Sequence, residues 1–118
     1  MTITDLKKRI EKLGWSFEVE IFENNDCLFT LSNCGRFGKD FTTELTAERA
    51  DPVNFLKALD YFIEGFDVDY ETYLWLGPDG HGVNNAPYYI RDILEDNEEY
   101  LSRLEEISDS ITLAIYAC

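Results

Sequence analysis

The stretch IRDILEDNEEYLSRLEEISDSI, residues 90–111, decides the fold of this chain because it has one apolar side and one acidic side. Its apolar residues recur with the three- and four-residue spacing of an amphipathic α-helix, namely Ile90, Ile93, Leu94, Leu101, Leu104, Ile107 and Ile111. At about 100° per residue, the opposite side carries a row of carboxylates, namely Asp92, Glu95, Glu98, Glu99, Glu106 and Asp109. The apolar side predicts a place in the core, and the acidic side predicts a surface exposed to solvent.

The residues before this helix predict three antiparallel strands between helices. Residues 15–21, 27–31 and 41–46 alternate between apolar and polar side chains, as half-buried strands do. Thr4 and Gly14 mark the start and end of a first helix, and Asp51-Pro52 begins a second. The chain therefore predicts an α+β fold in the order α-β-β-β-α-α-α, with helices packed on one face of a three-stranded antiparallel sheet.

Some details of the C-terminal half stay open at this level. Residues 70–76 alternate like a strand, but Asp69 before them and Gly77-Pro78 after them are typical of the start and end of a helix, and we favour a short helix. Asp96 and Glu99 resemble a capping box, so a break near Asp96 would divide the last helix in two. Residues 113–118 fit either a last helical turn or a short strand. We expect the first strand to pack on two helices, through Trp15, Phe17, Val19 and Ile21 against Leu56, Leu59, Leu101 and Leu104.

The length and the cysteines predict a single cytoplasmic domain. A chain of 118 residues fits one domain, which would span residues 1–118. No apolar run approaches the ~20 residues of a membrane span, and no signal peptide opens the chain. The cysteines, Cys27, Cys34 and Cys118, are odd in number and have no C-x-x-C spacing. We therefore expect free thiols in a reducing compartment.

The charge is strongly negative and unevenly distributed. The chain has 24 acidic and 10 basic side chains, a net charge of −14. Residues 1–57 have a net charge of −2, whereas residues 58–118 have a net charge of −12 and only two bases, Arg91 and Arg103. Such a field repels phosphates, so direct nucleic-acid binding is disfavoured. It favours a partner protein with a basic surface.

No sequence motif indicates catalysis, a cofactor or a metal site. The glycine-rich loop of residues 77–86 lacks the Lys-Ser/Thr pair of a P-loop and the glycine spacing of a dinucleotide-binding site. His81 lies in this loop near Asp79 with too few further ligands for a metal, and we expect it to have no chemical role. The sequence shows no Cys–His–Asp constellation and no nucleophile elbow. We therefore predict a protein that is not an enzyme and that binds no cofactor and no metal.

Two surfaces remain as hypothetical partner-binding sites. Along a helix that rises about 1.5 Å per residue, the gaps are about 4.5, 6 and 10 Å between Asp92, Glu95, Glu99 and Glu106, which is of the order of phosphate spacing along DNA. Tyrosines, which are frequent at interface hot spots, bracket the glycine-rich loop together with Trp75: Tyr70, Tyr73, Tyr88 and Tyr89. A plain alternative exists for each surface, namely a solvated helix face for the acids and structural packing for the rings.

Several segments together carry a resemblance to a known group of proteins. They are Trp75-Leu76, Gly82-Val83, Pro87, Ile90 and Ile93-Leu94-Glu95-Asp96 before an acidic helix, with Gly38-Lys39-Asp40-Phe41 and Phe66-Asp67-Val68-Asp69. In these segments the chain resembles small acidic proteins encoded on bacterial mobile elements such as conjugative elements and phages. Those proteins have no assigned activity. Their setting implies accessory or counter-defence roles, and no functional residues carry over from them.

One function hypothesis and two alternatives result. The first is a non-enzymatic acidic protein-binding module that occupies a basic surface, such as the nucleic-acid groove of a host defence protein. This would be a DNA mimic of the anti-restriction or anti-CRISPR kind. The second is a structural or adaptor protein of a mobile element, whose acidic face only confers solubility. The third is a small enzyme or ligand-binding protein that uses the loop around His81.

Overall fold

The computed structural model, which describes residues 1–38, 40–77, 82 and 86–116, confirms the predicted α+β order. Within these residues the elements are α1 (Ile3–Lys12), β1 (Ser16–Ile21), β2 (Cys27–Cys34), β3 (Asp40–Ala47), α2 (Pro52–Gly65), α3 (Val68–Leu76) and α4 (Ile90–Tyr116). The strands form one antiparallel sheet in the order β1-β2-β3. None of these described helices is both long enough and apolar enough to cross a membrane.

The start of α1 differs from the prediction because Thr2, and not Thr4, is its N-cap. The Thr2 hydroxyl accepts a hydrogen bond from the Asp5 N–H at 3.1 Å, and the Asp5 carboxylate accepts one from the Thr2 N–H at 3.0 Å. This capping box needs an acidic or amide side chain three residues after the cap. For a cap at Thr4 that residue would be Lys7, whose side chain cannot accept the hydrogen bond. Gly14, at a φ of 96°, ends the helix as predicted.

The next two helices begin at aspartates, and both are confirmed. Asp51 accepts a hydrogen bond from the Asn54 N–H at 2.8 Å and caps α2. Asp67 caps α3 through the Tyr70 N–H at 3.2 Å, so the favoured helix over residues 70–76 is correct. Toward the C-terminus, α4 continues to Tyr116, so residues 113–116 belong to this helix and not to a strand.

One face of the sheet is apolar and the helices cover it. In the strand register Val19 lies opposite Phe29, and Phe29 lies opposite Leu45, so alternate residues of all three strands point to the same side. There the rings of Phe17 and Phe29 meet Phe55 of α2, with centroids between 5.2 and 6.0 Å apart. The other face of the sheet carries mostly Ser, Thr and Glu side chains.

Several residues of the predicted core lie further out than expected. Ile21 is 62% exposed because it is the last residue of an edge strand before the hairpin turn, and Ile90 is 56% exposed because it is the first residue of α4. Leu94 and Leu101 are half-buried, whereas Leu104 is fully buried. The other members of the predicted packing are buried, except for the half-buried Val19: Trp15, Phe17, Leu56 and Leu59.

The last helix, α4, is continuous, and the predicted break near Asp96 is wrong. The Asp96 carboxylate is fully buried and accepts a hydrogen bond from the Phe37 N–H at 3.0 Å, instead of capping a second helix. The next side chain, Asn97, is also buried and donates from Nδ2 to the Thr72 hydroxyl at 3.1 Å. Both polar groups therefore bind other elements and hold α4 against the β2–β3 connection and α3.

Candidate functional site

The orientation of α4 is set by its contacts with the β2–β3 connection. Gly35 of that connection passes so close to α4 that a Cβ atom there would lie 2.6 Å from Asp96 Oδ2. Two turns further along α4, Arg103 Nη1 donates to the Cys34 carbonyl at 3.2 Å. These contacts turn one side of α4 toward the sheet, and the opposite side therefore faces solvent.

Five exposed acids on this opposite side form a surface that we call the acidic face: Glu95, Glu98, Glu105, Glu106 and Asp109. None of the five takes part in an ion pair within the described part of the chain. Four of them belong to the predicted row, and Glu105 does not. Its spacing of seven residues from Glu98, two turns of helix, is the signal that could have identified it.

Two acids of the predicted row lie at the border of the acidic face and not within it. Asp92 is half-buried, with its carboxylate 3.9 Å from Arg91 Nε. Glu99 is half-buried as well, and its carboxylate lies 2.5 Å from Arg103 Nη2. Each of these two charges is paired with a neighbouring base, so the pairs add little to the field above the helix.

The acidic face contains no base between Glu95 and Asp109 that is free to offset its charge. Arg103 is the one base in this stretch, and it is bound to the Cys34 carbonyl and to Glu99. Because α4 is not broken, these acids lie along a single helix axis, with gaps of about 1.5 to 10 Å between successive residues. An array of like charges on a helix creates a potential that attracts and orients cationic groups.

The four predicted tyrosines are all exposed, by fractions between 57% and 71%: Tyr70, Tyr73, Tyr88 and Tyr89. This exposure favours a binding surface over structural packing, and Tyr88 and Tyr89 also touch each other edge to face with centroids 5.2 Å apart. These two directly precede α4, whereas the other two lie on α3. Trp75 differs from them, since it is half-buried with its ring 5.1 Å from Phe41.

Tyr100 links α4 to the sheet. Its ring stacks on Phe41 with centroids 3.9 Å apart, and its hydroxyl is hydrogen-bonded to the Thr43 hydroxyl. Burial raises the pKa of Tyr100 to about 12, and the bond to Thr43 opposes that rise. A phenol with such a pKa stays protonated at neutral pH, so this residue is suited to a structural contact and not to acid–base chemistry.

The remaining predictions concern cysteine, histidine and metal chemistry. Cys27, which is buried, and Cys34, which is exposed, are both free thiols, as predicted. The described residues contain no group of three or more metal-ligating side chains. The predictions about Asp79, His81 and Cys118 fall on residues outside the described part of the chain.

Comparisons of the chain with protein-family models, with curated proteins and with solved structures found no match. The resemblance to acidic proteins of mobile elements therefore stays a prediction.

Proposed function

We propose that this chain is a non-enzymatic acidic protein-binding module, and that the acidic face of α4 docks on a basic surface of a partner protein. In this proposal the carboxylates take the place of nucleic-acid phosphates. The partner is a nucleic-acid-binding protein of host defence, and the chain serves a bacterial mobile element as a cytoplasmic counter-defence protein.

The observation that carries the proposal is the position of Arg103. A solvated helix of mixed charge would intersperse several bases among its acids, whereas Arg103 is the one base between Glu95 and Asp109. Here the guanidinium is bound to Glu99 and to the carbonyl of Cys34, and the five acids of the acidic face have no ion-pair partner among the described residues. The acids thus remain available to Lys and Arg side chains of another protein.

The exposed tyrosines support the same proposal. Charges at the border of an interface steer association, but binding energy comes mainly from aromatic and arginine side chains at its centre. Tyr88 and Tyr89 are 57% and 63% exposed beside the first turn of α4, next to the equally exposed Ile90. A contiguous apolar group of this kind next to a charged face is typical of protein-binding surfaces.

The proposal is tested by reversing charges on the acidic face. Proteins captured from a bacterial lysate on the immobilised chain are purified, and their affinity is measured for the wild type and for Glu95→Lys/Glu98→Lys/Glu105→Lys. We expect the triple variant to bind at least about tenfold more weakly, mainly through slower association, because exposed charges steer encounter. Its thermal stability should change little, since these acids form no ion pairs.

A matched control separates a specific face from general attraction. Glu20→Lys/Glu23→Lys/Glu48→Lys makes the same change in net charge at exposed positions away from α4. Affinity should fall less than about twofold in this control, and double-stranded DNA should compete with the wild type for the partner. Equal losses in both variants, or no loss in either, would leave the acids with a solubility role and support a structural or adaptor protein instead.

A further inference from the structure

A second surface lies beside strand β3, where the helices α2 and α3 face the edge of the sheet. The sheet order makes β3 an edge strand. Two cavities of about 330 and 370 Å³ run along it and share Glu44, Phe62, Phe66 and Glu71, so they form one continuous groove between β3 and the helices α2 and α3. We call it the edge groove. It follows β3 from Asp40 to Thr46, which is about 20 Å of strand.

The strand register assigns the backbone groups that β3 presents to this groove. The Phe22 N–H donates to the Asp26 carbonyl at 2.8 Å, which makes these two a hydrogen-bonded pair at the β1–β2 turn. Bonded and non-bonded pairs alternate along an antiparallel ladder. In the observed register, β2 therefore bonds to β3 at Phe41, Thr43 and Leu45. The residues between them direct their N–H and C=O groups away from the sheet: Asp40, Thr42, Glu44 and Thr46.

These outward groups have no backbone partner in the described part of the chain. A row of unpaired N–H and C=O groups on an edge strand is a template for one more strand. The edge groove therefore combines a free strand edge with a space that could hold side chains.

The lining of the edge groove indicates the chemistry of its occupant. Its wall is aromatic, with Tyr61, Phe62, Phe66, Trp75 and Tyr100, and Tyr61 is 82% exposed. Its charged residues are all acids, and no described lining residue is basic. Burial, followed by the nearby charge of Asp67, raises the pKa of Glu71, and a cation placed beside this carboxylate would oppose that rise by favouring the charged form.

We propose that the edge groove binds an extended peptide segment of a partner protein by β-strand addition to β3, and that this segment alternates apolar residues with Lys or Arg. Side chains of an added strand point alternately to the two faces of the sheet. Those on the helix-covered face enter the aromatic wall, and those on the other face lie beside the carboxylates of Asp40 and Glu44. Main-chain hydrogen bonds provide affinity and the alternating side chains provide specificity.

Charge argues for a basic peptide and against a second copy of this chain. Pairing of two β3 edges would bring the Asp40, Glu44 and Glu71 carboxylates of both copies together along one groove, and like charges opposite each other are destabilising. Each copy also carries a net charge of −14. The proposal uses elements other than the acidic face, so it does not depend on the function proposed for α4.

The test uses synthetic eight-residue peptides in which Lys alternates with Val, Leu, Phe or Tyr, and block-sequence peptides of the same composition. Binding is followed by NMR on the full chain. We expect an alternating peptide to bind and to slow the hydrogen exchange of the Thr42, Glu44 and Thr46 amides, because these donors become paired. The block peptides should bind at least about tenfold more weakly. This measurement needs no variant and does not involve the acids of α4.

A variant with a matched control tests the same geometry. Glu44→Pro removes an outward N–H while leaving the β2 ladder intact, which edge strands tolerate, and it should weaken peptide binding about tenfold or more. Ile21→Pro removes an outward N–H from the other edge and should change binding less than about twofold. Binding by no alternating peptide, equal binding of block peptides, or protection confined to β1 or α4 would overturn the proposal. So would a wild-type dimer in sedimentation that Glu44→Pro converts to a monomer, since a second copy would then fill the groove.

Discussion

Alkaline pH should destabilise this protein through a single buried hydroxyl, that of Tyr100. In the unfolded chain a tyrosine titrates near pH 10, whereas in the fold the pKa of Tyr100 is raised to about 12 by burial. Between these values the unfolded state loses its proton and the folded state keeps it, so stability is intact below pH 10 and falls as pH rises toward 12. At about 1.4 kcal/mol per pH unit, the total loss is about 2–3 kcal/mol.

The assay compares the free energy of unfolding in urea for the wild type and Tyr100→Phe across this pH range. At neutral pH the variant should be less stable by about 1–3 kcal/mol, because the buried Thr43 hydroxyl loses its partner. The variant has no phenol at this position, so the difference should shrink above pH 10 and vanish or reverse near pH 12. All other titrating groups are common to both proteins. A difference that stays constant between pH 9 and 12, to within about 0.5 kcal/mol, would refute the reasoning.

Two further predictions concern the attachment of α4. Leu104→Ala should lower the free energy of unfolding in urea by about 2–5 kcal/mol, and Leu101→Ala should lower it distinctly less, because only Leu104 is fully buried. Equal losses for the two variants would mean that α4 is rotated about its axis relative to this structure. Gly35→Ala should cost about 1–3 kcal/mol because its Cβ would lie 2.6 Å from Asp96 Oδ2. The cost should shrink in an Asp96→Ala background, and additive effects in this double-mutant cycle would show that the two residues do not touch.

The elements of this fold could be predicted from the sequence because their signals are local. Strand alternation in residues 15–21 and 41–46, and the Asp51-Pro52 helix start, depend on neighbours in the chain, and the structure follows them. The face of α4 could be predicted for the same reason, since helical spacing alone separates Leu104 from Glu98. The type of each element, and the face of it that a residue occupies, therefore depend mainly on residues nearby in the sequence.

The errors arose where a distant partner decides the outcome. Asp96 has the spacing of a capping residue, but its partner is the Phe37 N–H, 59 positions away. Glu99 belongs to the acidic row by spacing, yet Arg103 pairs with it and also reaches Cys34, 69 positions from itself. The edge groove was not foreseen either, because its width depends on how far α2 and α3 stand from β3. No periodicity in the sequence reports that distance.

The contacts of α4 with the sheet also have a consequence for how the chain reaches its fold. Tyr100 meets Thr43 across 57 positions, and the contacts of Asp96 and Arg103 with the β2–β3 connection span still more. Each such contact requires closure of a long loop, which costs entropy before any burial compensates for it. While the chain is being synthesised, Phe41 and its strand have no cover from α4 until residue 100 has left the ribosome. During that interval the nascent chain exposes both the open edge of β3 and the apolar face of the sheet. Aggregation would start from this state, and a chaperone would recognise it.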